Sequence, residues 1–170
     1  MKKLIITAIT ILILTGCSTR EPDRFYSEEH SFSIRFPSSW KTRVGYMGSI
    51  VRAENPDIGV DVMFQENMNI ITDTLPEGMT IDRYFESGKK MLKEALPGLK
   101  DDGQAVMEIN GLQAAKFSYS YPLKPALMKA VVYNILRKKK IYIITCTADS
   151  TRFDNLRETF DRSARSFKTE

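Results

Sequence analysis

The sequence predicts an α+β domain: an antiparallel β-sheet of about six to seven strands, sandwiched between helices. Three observations carry that prediction. Short apolar runs come in pairs joined by turn residues, which implies hairpins and antiparallel pairing. Two amphipathic helical stretches lie far apart in the chain, so strands and helices do not alternate. The strands of the second half are apolar on both faces, as central strands covered above and below must be.

The chain opens with Met1-Lys2-Lys3 and an uncharged run from Leu4 to Gly16 rich in Ile and Leu. A helix needs about 20 apolar residues to cross a bilayer, so this run is too short for a stable span and fits the core of a secretory signal. Leu14-Thr15-Gly16-Cys17 resembles the lipobox of bacterial lipoproteins: Leu, two small residues, then Cys. Small side chains admit the backbone to a protease, and the thiol is the nucleophile that can carry a diacylglycerol thioether. The competing reading is ordinary signal cleavage with a chance Cys beyond it. Cleavage between Gly16 and Cys17 would leave a lipidated Cys17, a tether over 17–24, and one domain over 25–170. Stable anchoring takes two acyl chains or their equivalent. Ser18 follows where many Gram-negative lipoproteins kept in the inner membrane have Asp, which favours the outer membrane facing the periplasm in such a host. In a Gram-positive host the anchor would lie on the outer face of the single membrane.

The tether carries Pro22 and mostly polar residues; seven extended residues reach roughly 25 Å, so the domain stays near the membrane. Phe32-Ser33-Ile34-Arg35-Phe36 alternates cleanly as a strand, ended by Pro37-Ser38-Ser39 before Trp40. Ser49 to Glu54 and Val60 to Gln65 read as a hairpin turning at Asn55-Pro56-Asp57 and Gly59. Thr80 to Leu96 is the stronger helix. Thr80 serves as N-cap, Asp82 sits in the first turn, and Pro97-Gly98 stops it. Ile81, Tyr84, Phe85, Leu92, Ala95 and Leu96 form its apolar face. Ala105 to Ile109 and Leu112 to Tyr121 are joined by Asn110-Gly111, the pair preferred where both turn residues need positive φ. Leu127 to Leu136 and Ile141 to Ala148 make a second hairpin around Arg137-Lys138-Lys139-Lys140. The closing helix begins at a Ser150 cap and places Phe153, Leu156, Phe160, Ala164 and Phe167 at steps of three and four.

The opening Phe32 to Trp40, with its hydrophobic strand, Pro and Trp, is similar to the start of the PsbP-like family, which includes the Mog and DcrB proteins. The helix from Thr80, the Asn110-Gly111 hairpin with Ala115, the strand Tyr142 to Ala148 and the closing Ser166-Phe167 extend the resemblance over roughly 25–168. The resemblance implies an antiparallel sheet between helices and an accessory or binding role without catalysis. It transfers no site residues.

Composition limits the function classes. Of 25 Lys and Arg, two lie in the leader, leaving 23 against 21 acidic residues in the mature chain. A balance this even argues against nucleic acid as partner. With Cys17 acylated, Cys146 is left alone on an apolar strand, so no intramolecular disulfide forms and a buried structural thiol is expected. His30, the single histidine, lies beside Glu28 and Glu29 without companion ligands for zinc. Asp57, Asp61 and Glu66, and Asp101-Asp102-Gly103, lack calcium-loop spacing. The seven mature methionines are scattered, unlike a soft-metal site. No Gly-X-Ser-X-Gly elbow or phosphate-cradling glycine loop occurs. No metal, cofactor or catalytic residue is therefore expected. Arg137, Lys138, Lys139 and Lys140 could meet anionic lipid or serve as a solvated hairpin tip that discourages edge pairing. The expected partners are the membrane, through lipid on Cys17, and a protein of the cell envelope. The alternative is a ligand or metal held between sheet and helix.

Overall fold

The computed structural model describes residues 21–57 and 64–169. The segment read as a signal, Cys17 and most of the strand expected at Val60 to Gln65 lie outside them. In chain order the elements are β1 (Phe25–Ser27), β2 (Phe32–Ile34), β3 (Lys41–Val44), β4 (Val51–Glu54), β5 (Asn67–Thr74), α1 (Ile81–Ala95), β6 (Lys100–Ile109), β7 (Leu112–Leu123), β8 (Ala126–Arg137), β9 (Lys140–Asp149), α2 (Ser150–Arg165) and β10 (Lys168–Thr169). Seven strands form one antiparallel sheet in the order β3-β4-β5-β9-β8-β7-β6, and β1, β2 and β10 form a second, small one. The predicted α+β class with a seven-stranded sheet between helices is what the chain adopts.

The hairpins follow their turn residues. Asn110 and Gly111 have φ of 50° and 79°, as a two-residue turn from Ile109 to Leu112 requires. At the other tip Arg137 pairs with Lys140, so only Lys138 and Lys139 form the loop, with Lys138 at φ 56°. Gly98 ends α1 at φ 85°, where an added Cβ would also press within 3.1 Å of Pro122.

Three details differ from the sequence reading. The partner of β4 is β5, beginning at Asn67, and not a strand starting at Val60. Asn67 to Thr74 escapes a hydrophobic count because Met68 and Ile70 face the core while Asn69 and Asp73 alternate with them. The first apolar strand, β2, joins the small sheet with β1 and β10 and not the main one. The cap of α2 is Asp149, whose carboxylate accepts from Thr151 N at 2.9 Å, one residue before the expected Ser150.

β8 and β9 lie at the centre of the sheet and are apolar on both faces for the expected reason. One face of β8 presents Val131, Tyr133 and Ile135 to the core beneath α2; the other presents Ala130 and Val132 toward α1. On the α2 side, Phe153, Phe160 and Ala164 pack on Ile144 and Cys146, and the small sheet adds Phe32 and Ile34. Phe32, Tyr142 and Phe167 form a ring cluster with centroids 4.9 to 5.7 Å apart. Trp40 meets Phe160 edge-on at 6.0 Å. Packing reaches back into the segment read as tether. Arg24 is buried, and its Nη1 donates to Ser33 Oγ and to the Ser166 carbonyl at 3.2 and 2.9 Å.

Candidate functional site

The α1 side of the sheet is built differently. The Thr80 side chain caps the helix by accepting from Arg83 N at 3.3 Å, and α1 then buries only Ile81 and Phe85. Phe85 meets Phe117 edge-on, centroids 5.9 Å apart. Between helix and sheet lies a cavity of about 580 Å³, within the range of ligand pockets. Its floor is Ile71 from β5, Ile143 and Thr145 from β9, Val132 and Asn134 from β8, and Phe117 and Tyr119 from β7. Its roof comes from one side of α1, including Tyr84, Phe85, Gly88, Met91 and Leu92, with Pro76 and Met79 at one end. Gly88 lies inside the helix where Ala would favour helix formation by about 1 kcal/mol. A Cβ there would meet nothing within 4 Å, so the missing side chain adds to the open space.

Few polar groups face this cavity. At one end the Tyr84 hydroxyl donates to Asp73 Oδ2 at 2.6 Å. Burial, then the Asp73 hydrogen bond and charge, raise the Tyr84 pKa, so the phenol keeps its proton. Tyr119 is pushed up to about 12, by burial and then by Tyr121. Lys89 lies over the Phe85 and Phe117 rings at 5.5 and 5.4 Å and donates to Gln104 and Glu86 at 2.6 and 3.1 Å. Asn134 is only 7% exposed, yet its side chain has no hydrogen-bond partner among the described residues. Its amide faces the open cavity, where an incoming group can hydrogen-bond to it. Such a cleft can hold an apolar body and fix it by a few polar contacts.

Strand register continues the floor into a charged shelf. Arg43 opposes Arg52, Arg52 opposes Asn69, and Asn69 opposes Thr145. Thr145 opposes Val132, which opposes Phe117. Directly opposed residues of antiparallel strands share a face. One row therefore runs from two guanidiniums through an amide and a hydroxyl to the apolar floor. Both guanidiniums converge on Glu54, Arg52 Nε at 2.8 Å and Arg43 Nη2 at 3.3 Å.

The residues singled out by sequence do not gather at this cleft. Gly16 and Cys17 lie outside the described residues, as do Asp61 and Met63. The basic run is divided: Lys140 Nζ donates to the His30 carbonyl at 3.0 Å and lies over Tyr142, while Lys138 and Lys139 face outward. Lys139 is 3.9 Å from Glu77. Cys146 is fully buried under α2, and burial raises its pKa well above the ordinary thiol value. His30 contributes its carbonyl to Tyr142 Oη at 2.8 Å. Asp101 accepts from Gly103 N at 2.9 Å within a β-bulge. Among the described residues no three His, Cys, Asp or Glu side chains converge as metal ligands. Met79 and Met91 line the cavity, whereas Met68 and Met128 are buried elsewhere.

The DcrB family model matches residues 59–166, most of the domain. The chain belongs to the DcrB family. No curated protein matches this DcrB-family chain significantly. Among solved structures it is similar to cyanobacterial PsbP from Synechocystis sp. PCC 6803, with a TM-score of 0.69 and 15% identity over 92% of this chain and 99% of that one. It is also similar to LpqN of Mycobacterium tuberculosis, described as involved in cell envelope biogenesis, with a TM-score of 0.68 and 13% identity over 82% and 83% of the two chains. The Saccharomyces cerevisiae Ran-binding protein Mog1p follows at TM-score 0.63 and 8% identity, covering 86% and 94%. These likenesses establish the PsbP-like fold.

Sequence reasoning missed Asn69, Asn134 and Thr145 because each is an ordinary polar residue on a strand. One signal was present: Gly88 inside an otherwise strong amphipathic helix, a position that usually has a packing or functional reason.

Proposed function

We propose that this DcrB-family protein is a lipid-anchored accessory protein of the cell envelope, and that its domain works by binding, not catalysis. The binding site is the cleft between α1 and the sheet. The carrying observation is the cavity of about 580 Å³, apolar in lining and closed over by a helix that buries only two of its side chains. DcrB membership and the cell-envelope role of LpqN support the location. The lipobox supports the anchor, with Cys17 acylated and the domain held toward the periplasm in a Gram-negative host. Of the readings that the sequence left open, the cleft favours a bound ligand over a flat docking surface.

Two measurements test this. Cys17→Ala should abolish incorporation of an alkyne fatty acid and leave the precursor uncleaved; labelling of the variant would defeat the anchor. Separately, the neutral probe N-phenyl-1-naphthylamine should brighten on binding the purified domain. Gly88→Phe, which fills the cavity, should reduce that signal at least tenfold, while Gly88→Ala leaves most of it. Equal brightening in all three proteins would remove the cleft as the site.

A further inference from the structure

Resting on the reading of the cleft as a binding site, we infer that its ligand is a glycerophospholipid with an anionic head. One acyl chain lies under α1, and the phosphate sits toward Arg52 and Arg43. Three observations along one direction of the sheet carry this.

The first is the apolar end. Phe85, Phe117, Val132 and Leu92 line it, and its one charged neighbour, Lys89, is engaged with Gln104 and Glu86, which suits a methylene chain. The second is Asn134. Its neighbours across the strands are Ala115 and Ile143, neither able to accept or donate through a side chain. An amide N–H there can donate to an ester carbonyl at the junction of chain and glycerol, a contact that a plain hydrocarbon would leave unmade. The third is the charge balance of the shelf. Thr145 forms the edge of the cavity floor, and beyond it Asn69, Arg52 and Arg43 continue on the same face. Two guanidiniums share the single carboxylate of Glu54, and its Oε2 receives no hydrogen bond of good geometry. The trio therefore carries one net positive charge, and guanidinium forks match phosphate oxygens.

Two neighbouring groups bear on where the head can lie. Asp73, four residues along β5 from Asn69 and bonded to Tyr84, would repel an anionic head at that corner of the cavity. Lys89 is already committed to Gln104 and Glu86 and lies on the β6 side of the cavity. An amphiphile thus has one favourable orientation, with its head on the β3–β4 side.

The test is titration calorimetry below the micelle concentration, with palmitoyl-lysophosphatidylglycerol, its myristoyl homologue, and palmitoyl-lysophosphatidylcholine. The anionic palmitoyl lipid should bind about tenfold more tightly than the zwitterionic one. The myristoyl homologue should be weaker by about tenfold, as two fewer buried methylenes require. Arg43→Gln, at a half-exposed position, should weaken the anionic lipid several-fold and the zwitterionic lipid less, because choline already offsets the charge of the phosphate that both carry. Glu54→Gln should act in the opposite direction, because it releases both guanidiniums. Thermal melts of both variants separate these effects from loss of fold, and two variants of opposite sign cannot both arise from damage. Equal affinity for the two headgroups, or the same sign of change in both variants, overturns the anionic head while leaving the cleft intact. Naphthylamine binding that depends on Gly88, with no lysolipid bound, overturns the acyl ligand alone. Loss of that dependence overturns the cleft reading itself.

Discussion

The two faces of one sheet are built to different standards. Beneath α2, alternate residues of β8 and β9 join a continuous core reaching Phe32, Trp40 and Phe167, with rings in mutual contact. Beneath α1, the intervening residues of the same strands form a smaller cluster beside an open cavity. The helices match their faces. α2 buries Phe153, Phe160, Ser163 and Ala164, while α1 buries Ile81 and Phe85 near its N-terminus. A strand alternates sides at every residue, so one set of strands can carry stability on one face and a binding space on the other. The α2 face carries the larger core, and the α1 face keeps an open cavity.

That division predicts unequal costs for equal truncations. Phe160→Ala removes a fully buried ring from the α2 core and should cost about 4 kcal/mol. Phe85→Ala removes a ring that already borders open space and should cost about 2 kcal/mol, because fewer contacts are lost. Urea denaturation at neutral pH compares them. Equal losses would break the distinction between the faces.

A smaller, pH-dependent effect sharpens it. Asp161 on α2 accepts from Lys116 Nζ at 2.6 Å and from the Tyr133 hydroxyl, tying the helix to β7 and β8. Burial by itself would raise the Asp161 pKa. The hydrogen bonds from Lys116 and Tyr133 and the charges of Lys116 and Arg165 outweigh it, so the net shift is downward. A carboxyl whose pKa is lower in the folded chain binds fewer protons there than when unfolded. Its contribution is complete above the unfolded value near 3.8 and is lost as pH falls through the folded value. Asp161→Asn should therefore cost about 2 kcal/mol at pH 7, with the gap to the parent closing only in strong acid. Melting curves across that range check the sign; a gap widening in acid would contradict the assignment. Naphthylamine binding should survive this variant wherever the domain remains folded, since Asp161 lies on the other face.

How much of the molecule was legible in advance follows the range of the forces involved. The Asn110-Gly111 turn, the Thr80 cap and the stop at Gly98 are decided within a few residues, and all three stand as read. Asn110 also has a role that the turn does not announce. Its amide donates to the Arg165 and Phe167 carbonyls at 3.0 and 2.6 Å, clipping the end of α2 to the hairpin 55 to 57 residues earlier. β1, β3 and β10 are short or polar and exist because neighbouring strands offer them backbone partners. β5 was displaced in the reading for the same reason: only Met68, Ile70 and Ile71 of its eight residues are apolar.

The sequence by itself determined the class of fold, the two hairpins of the second half, the two helices and the need for cover on both sheet faces, because turn chemistry and hydrophobic period act locally. It also contains Leu14-Thr15-Gly16-Cys17, which resembles a lipobox and lies outside the described residues. Only the tertiary structure decided that β2 leaves the main sheet, that the basic run is split, and that α1 stands over a cavity. It alone brought Arg43, Arg52, Asn69, Thr145 and Val132 into one row, although about a hundred residues separate the first from the last. Strand order and register create that row, and they follow from the packing of the whole chain, which no local pattern encodes.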